Sequence, residues 1–122
     1  MESRHPSFDE LEESGLIERG WVPEDFPRSA TEIREAHDLD TNQVWIRFEV
    51  DRSSPDFEQF LSTWRAVDRV GIESINAPIH LYWWSVPTRE SRLEVFGRSD
   101  RGTDCLLVLV RESSVAHYYC SR

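Results

Sequence analysis

Hydrophobic positions in this chain change their period along its length, and each change predicts a different element. Near the start Phe8 and Leu11, continued weakly by Leu16 and Ile17, recur at helical spacing. Ser7 followed by Glu10 has the spacing at which each side chain can satisfy an orphan N–H near the other's backbone, so a helix is predicted to begin at about Phe8. Asp9, Glu10, Glu12 and Glu13 place negative charge near its positive end, Gly15 weakens its middle and Gly20 is a natural stop. Residues 1–6 end in Pro6 and carry little to bury, so they read as a flexible tail.

Pro23 and Pro27 push Val22 and Phe26 toward extended geometry, which makes this stretch a stiff hydrophobic connector. Ser29 with Glu32 repeats the capping spacing, and a short helix is predicted from Ala30 to about His37, burying Ile33. Asp38 to Asn42 are turn formers. Val44, Ile46, Phe48 and Val50 then alternate with Trp45, Arg47 and Glu49, the period of a strand with one buried face. Trp45 falls on the polar side and needs a cover or a partner.

Ser54-Pro55 reads as a helix cap and first helical residue, because the N–H that proline lacks would be unpaired there anyway. Phe57, Phe60, Leu61, Trp64 and Val67 follow as one apolar stripe, predicting a long helix that lies on a sheet and ends near Gly71. The pattern then turns to strands: His80 to Val86, Arg92 to Arg98, Thr103 to Val110 and Ser114 to Cys120, joined by short polar turns as a meander. The aliphatic run Leu106 to Val110 marks a central strand covered on both faces. The fold expected is a single α+β domain over residues 7–122, with N-terminal helices and one long middle helix packed on a mainly antiparallel sheet of about five strands, its strand-rich half at 80–121.

A length of 122 residues suits one domain. The 23 acidic against 14 basic residues give a net charge of -9, which repels nucleic acid and anionic lipid and favours a basic protein partner. No stretch approaches the ~20 apolar residues of a membrane span, and Met1 to His5 lack the apolar core of a signal peptide. As written the chain is expected in the cytoplasm, or in the periplasm or on a lipid anchor if a leader precedes it.

The elements Gly20-Trp21-Val22-Pro23, Ser29-Ala30-Thr31 and Asp38-Leu39-Asp40-Thr41-Asn42, with the upstream Gly15-Leu16-Ile17-Glu18-Arg19, resemble the YbbD-type head domain of small bacterial proteins over residues 7–50. The resemblance implies no catalytic motif. Relatives lie in places beside polymorphic Rhs-type toxin genes, which implies an immunity role, and many look like exported lipoproteins, a trait this sequence does not display.

Asp38-x-Asp40-x-Asn42 echoes a calcium loop, but Gln43 stands where such a loop needs glycine, and residues 44–50 read as strand. These residues are expected to fix a turn instead. A turn near Glu112-Ser113 would set Cys105 opposite Cys120 on adjacent strands, which allows a disulfide; in a reducing compartment they would be two buried thiols. Two further ligands for zinc are missing at local spacing. His37, His80 and His117 lack the neighbours of a hydrolase, since no G-x-S-x-G, H-E-x-x-H or phosphate-binding glycine loop occurs. In Tyr82-Trp83-Trp84 a strand would send the two indoles to opposite faces, leaving one for a second layer or a partner.

The expectation is a non-enzymatic binding protein without cofactor or metal, acting as an immunity protein that occludes a basic toxin domain. Trp45, Tyr82, Trp84, Asp38, Asp40 and Glu49 form the candidate interface. The alternative is a small-ligand or envelope-associated binding module, which would show a deep aromatic-lined pocket. An enzyme would need His117 or His80 to converge with an acid in a cleft.

Overall fold

The structure, a computed structural model, describes residues 1–68, 81–86, 93–100 and 102–121. In chain order its elements are β1 (Glu2–Ser7), α1 (Phe8–Glu13), β2 (Thr31–Asp38), β3 (Gln43–Glu49), α2 (Pro55–Leu61), β4 (Arg65–Ala66), β5 (Leu93–Asp100), β6 (Thr103–Val110) and β7 (Val115–Ser121). The strands form one 7-stranded sheet in the order β1-β2-β3-β7-β6-β5-β4, and every described pairing is antiparallel. Among the described residues no helix is long and apolar enough to cross a membrane.

This overturns the α+β expectation of a long middle helix on about five strands: the domain is mostly sheet, with two short helices laid on it. Three local causes account for the difference. First, the supposed tail is β1, an edge strand whose His5 pairs with Ile33 and whose Glu2 pairs with Ala36. Second, the residues expected to form a helix at 30–37 are β2. The Ser29 backbone N–H and hydroxyl go to the Asp56 carboxylate at 2.7 and 3.0 Å instead of capping a helix, and Glu32 sits at a register shift with φ +48°. The inward positions of β2 are Ile33, Glu35 and His37, so its alternation is hidden by two polar residues that are nevertheless buried.

Third, α2 stops at Leu61. The hydroxyls of Ser62 and Thr63 turn back onto the carbonyls of Gln59 and Phe60 at 2.6 and 2.7 Å, a local alternative to further helix, and the chain leaves as β4. Phe57, Phe60 and Trp64 keep their expected inward direction, whereas Val67 has crossed the sheet edge and packs on the opposite face. Gly97 makes that crossing fit, because a Cβ there would lie 3.2 Å from a Val67 methyl.

The helix at Phe8 forms as expected, with the Ser7 hydroxyl accepting from the Glu10 N–H. It ends earlier than Gly20, at Glu13, and Gly15 follows with a φ of +82°, which suits glycine just past a helix end. The region expected as strand at 80–86 is, over Leu81–Val86, a turn closed by the Trp84 N–H on the Leu81 carbonyl at 3.0 Å; His80 lies outside the described residues. Strands β5, β6 and β7 follow the sequence pattern closely, and β6 lies inside the sheet with Leu107, Val108 and Leu109 all buried.

The main core lies between one sheet face and the helices, with the 16–30 segment closing over it. Phe8, Leu11, Val22, Phe26, Ile46, Phe48, Phe57, Phe60 and Leu107 meet there. Arg98 of β5 ties the edge of this layer together. Its guanidinium takes both Asp25 carboxylate oxygens at 2.8 and 2.9 Å, reaches Thr63 Oγ1 at 2.6 Å and Asp100 at 2.9 Å, and lies over the Trp64 ring at 4.5 Å. On the other face Ala36, Trp45, Leu81 and Trp83 form a second cluster beside that of Leu93, Val95 and Val108.

Candidate functional site

The turn joining β2 to β3 is built by its own side chains. Asp38 Oδ1 accepts from the Asp40 N–H at 2.9 Å, and the Asp38 carbonyl accepts from the Asn42 N–H at 2.8 Å, while Asn42 takes the left-handed φ of +60°. Thr41 Oγ1 donates to Gln43 Oε1 and Gln43 Nε2 donates to the Tyr119 hydroxyl at 2.7 Å, anchoring the turn to β7. The turn therefore holds Leu39 out of the sheet, where it is 71% exposed.

Opposite it, the 81–84 turn is pinned across the sheet edge. Trp83 Nε1 donates to the Glu2 carboxylate at 3.2 Å, and Arg34 donates to the Tyr82 hydroxyl at 3.3 Å while its guanidinium lies over the Tyr82 ring at 5.7 Å. Tyr82 is left 77% exposed. Between the two turns lies a cavity of about 370 Å³, with Ala36 and Trp45 among its lining, Leu81 from one turn and Asp38, Leu39 and Asp40 from the other. Among the described residues the exposed large hydrophobic side chains are Met1, Leu39 and Tyr82; the first two line this cavity and the third follows Leu81 in the chain.

Trp45, expected on the polar side, is 2% exposed because Leu81 and Trp83 supply its cover, and its indole N–H has no acceptor. Trp84 is not an exposed anchor either. It packs edge-on against Trp83 and His117 with ring centroids 6.3 and 5.1 Å apart, both indoles lying on one sheet face because a turn, unlike a strand, imposes no alternation. Glu49 lies at the far end of β3 from Asp38, roughly 20 Å away at strand rise, so the structure gathers Asp38, Asp40, Trp45 and Tyr82 and leaves Glu49 apart. Sequence reasoning missed Leu39 and Leu81. For Leu39 the available signal was an apolar residue inside an otherwise polar turn, which nothing local could bury; Leu81, in an apolar run, offered none.

A larger cavity of about 560 Å³, lined by Glu49, Asp51, Arg52 and several hydroxyl residues, lies at the far end. Two of its charges are already engaged, with Asp51 accepting from Ser53 and Arg52 paired to Glu94, and among the described residues no large exposed apolar side chain borders it. The smaller one therefore has the better claim to a macromolecular partner.

The described histidines are buried. Burial, with Arg47 nearby, lowers His117 to about 4, so it is neutral at pH 7. Glu35, fully buried, is raised to about 8 by burial and sits 2.8 Å from His37 Nδ1, whose own pKa burial lowers; the pair is held neutral under a Trp21 ring stacked on His37 at 4.0 Å. Cys105 and Cys120 occupy paired positions of β6 and β7 and form a disulfide. Asp100 lies close to both sulfurs, but sulfurs bonded to each other are not thiolate ligands, and its carboxylate is engaged by Arg98.

Comparison with protein families adds one finding. Residues 1–49 match the YbbD head domain. The matched segment spans β1, α1, β2 and β3, including the 38–42 turn and Trp45, and takes in β1 ahead of the start expected at residue 7. No curated protein and no solved structure matches the chain.

Proposed function

We propose that the chain is a non-enzymatic binding protein, and that it acts as an immunity protein occluding a basic toxin domain. The observation that carries this reading is the cavity between the 38–42 and 81–84 turns, with exposed Leu39 and Tyr82 beside it and two carboxylates at its edge. Large apolar side chains held in water by ordered turns are the usual anchors of a protein interface. The net charge of -9 speeds encounter with a cationic partner and disfavours self-association. Residues 1–49 match the YbbD head domain, and the toxin as partner rests on what the resemblance to that family implies.

A small-ligand pocket would turn several rings inward. Here the rings that line the cavity, Trp45 and His37, are themselves buried, while Leu39 at its rim and Tyr82 beside it stand exposed, which favours a protein surface. The Cys105–Cys120 disulfide favours an oxidising compartment, in keeping with an envelope-associated form of the same binding role. Coexpression with the toxin encoded beside the gene tests the proposal. Growth rescue with a copurifying complex supports it, and Leu39→Ser should weaken that complex without changing the fold. Neither rescue nor complex would end it. Alkylation of the protein at the moment of lysis tests the compartment: no free thiol is expected, and two free thiols would place it in a reducing one.

A further inference from the structure

We infer that, once the Cys105–Cys120 disulfide is reduced, the two thiolates and the Asp100 carboxylate bind a zinc ion. Local spacing supplies only the two sulfurs; the fold supplies the third ligand. Asp100 ends β5, the next strand carries Cys105, and β7 sets Cys120 opposite it with Cα atoms 4.1 Å apart. Directly opposed positions of two antiparallel strands point to the same sheet face. One ligand atom from each of the three residues lies within 4.8 Å of the other two. A tetrahedral zinc holds two thiolates roughly 3.8 Å apart at bond lengths of about 2.3 Å, within reach of opposed cysteines that rotate about χ1 while the strands stay paired.

Two further observations support the site. Arg98 Nε donates to Asp100 Oδ2 at 2.9 Å, and no described residue donates to Oδ1, so one oxygen orients the carboxylate and the other is left for a metal. A cavity of about 200 Å³ is lined by all three residues together with Tyr118 and Arg19. A water takes about 30 Å³, so there is room for the ion, a path in and a water as fourth ligand. The Tyr118 hydroxyl, 3.7 Å from Cys105 Sγ, is placed to donate to that sulfur once it is a thiolate. The net negative charge of the loaded site is offset by Arg98 on Asp100 and by Arg19 in the cavity wall. Calcium and magnesium take oxygen ligands, so the paired sulfurs select zinc.

The reductant is a dithiol. It passes two electrons and two protons to the disulfide, closes its own disulfide, and leaves Cys105 and Cys120 as thiols. Zinc then displaces both protons to solvent as the Zn–S bonds form. Strands β6 and β7 are thus cross-linked in either state, through sulfur alone or through the metal.

The test uses the full chain, reduced with a phosphine so that no added thiol competes, and titrated without oxygen with Co²⁺ and then Zn²⁺. Cobalt should give thiolate charge-transfer absorption that saturates at one ion per reduced chain, and the oxidised chain should show none. Zinc should displace it with Kd on the order of 0.1 μM, the weak end of structural sites. At about a hundredfold excess over Kd, zinc should raise the urea midpoint of the reduced chain by at least about 1 M, and should refold the chain if reduction alone unfolds it. Asp100→Asn should keep the thiolate absorption and bind at least about tenfold more weakly. Cobalt absorption shared by the oxidised chain, no gain in stability with zinc, or an affinity unchanged in Asp100→Asn each overturns the inference. The last would mean two thiols of a loosened chain binding metal without the carboxylate. None of these readouts involves a toxin, so this site and the binding role can fail separately.

Discussion

Replacing Arg98 by methionine should be the most damaging single change at the sheet's outer end. The side chain is 11% exposed, while its partners Asp25 and Asp100 are 44% and 33% exposed. Methionine keeps the stem over Trp64 and Phe60 but removes every charge-assisted bond. Hydrogen bonds to charged groups contribute about 1.5–3 kcal/mol each when shielded from water. Asp25 regains water once released, which reduces its share to about 1 kcal/mol. The more enclosed Asp100 contact keeps about 1.5 kcal/mol, and the lost attraction to the two rings adds about 1 kcal/mol, for a total near 3.5 kcal/mol. At a urea dependence of about 1.5 kcal/mol per molar, the unfolding midpoint should fall by about 2 M. Arg98→Lys keeps the charge but not the planar fork that spans Asp25, Asp100 and Thr63, and should lose more than half as much. A midpoint shift below about 0.5 M for Arg98→Met would refute the view that this guanidinium fastens the 25 loop to the sheet.

Other perturbations address the remaining parts of the molecule. Reducing the Cys105–Cys120 disulfide, which closes a loop with a sequence separation of 15, should lower stability by about 3 kcal/mol in urea melts; an unchanged midpoint after verified reduction contradicts this. Gly97→Val should destabilise by about 2 kcal/mol through collision with Val67, and adding Val67→Ala should recover a good part of it; strict additivity of the two changes would show that they do not touch. Glu35 is raised from 4.5 to about 8, so the folded chain binds a proton that the unfolded chain has released, and stability falls as pH rises through that window. Glu35→Gln should flatten the fall, and a difference from wild type that does not grow with pH rules out the assignment. His117 has the opposite sign: lowered from 6.5 to about 4, it makes stability fall on acidification across that range, and His117→Gln should be less acid-sensitive over the same pH values.

The parts of the fold legible in the sequence are those where local pattern and tertiary position agree. At β3, β5, β6 and β7 the inward residues are mostly hydrophobic, and the turn at Glu112-Ser113 sets Cys105 opposite Cys120 as its position predicts. At β2 the two disagree, since Glu35 and His37 face the core and conceal the strand behind a helix-like spacing of Ser29 and Glu32. In the stretch Phe57 to Val67 a helical stripe is real for its first turns, then serves both faces of the sheet as the chain rounds its edge. Of the candidate site, Asp38, Asp40, Trp45 and Tyr82 were within reach of the sequence, because unusual residues stood in turns or on polar faces. Their meeting was not, because it depends on the 81–84 turn crossing to β1 and β2.

The cavity straddles a boundary in the chain. Its carboxylates and its indole come from residues 1–49, the stretch that matches YbbD heads, whereas Leu81 and the neighbouring Tyr82 come from beyond the match. The matched stretch ends with β3, and β7 takes that strand's open side by backbone pairing, which asks little of particular side chains. One half can thus be kept while the other diverges. Such an arrangement lets a lineage retain one wall of the cavity and retune what may enter it by altering a single short bend on the far side.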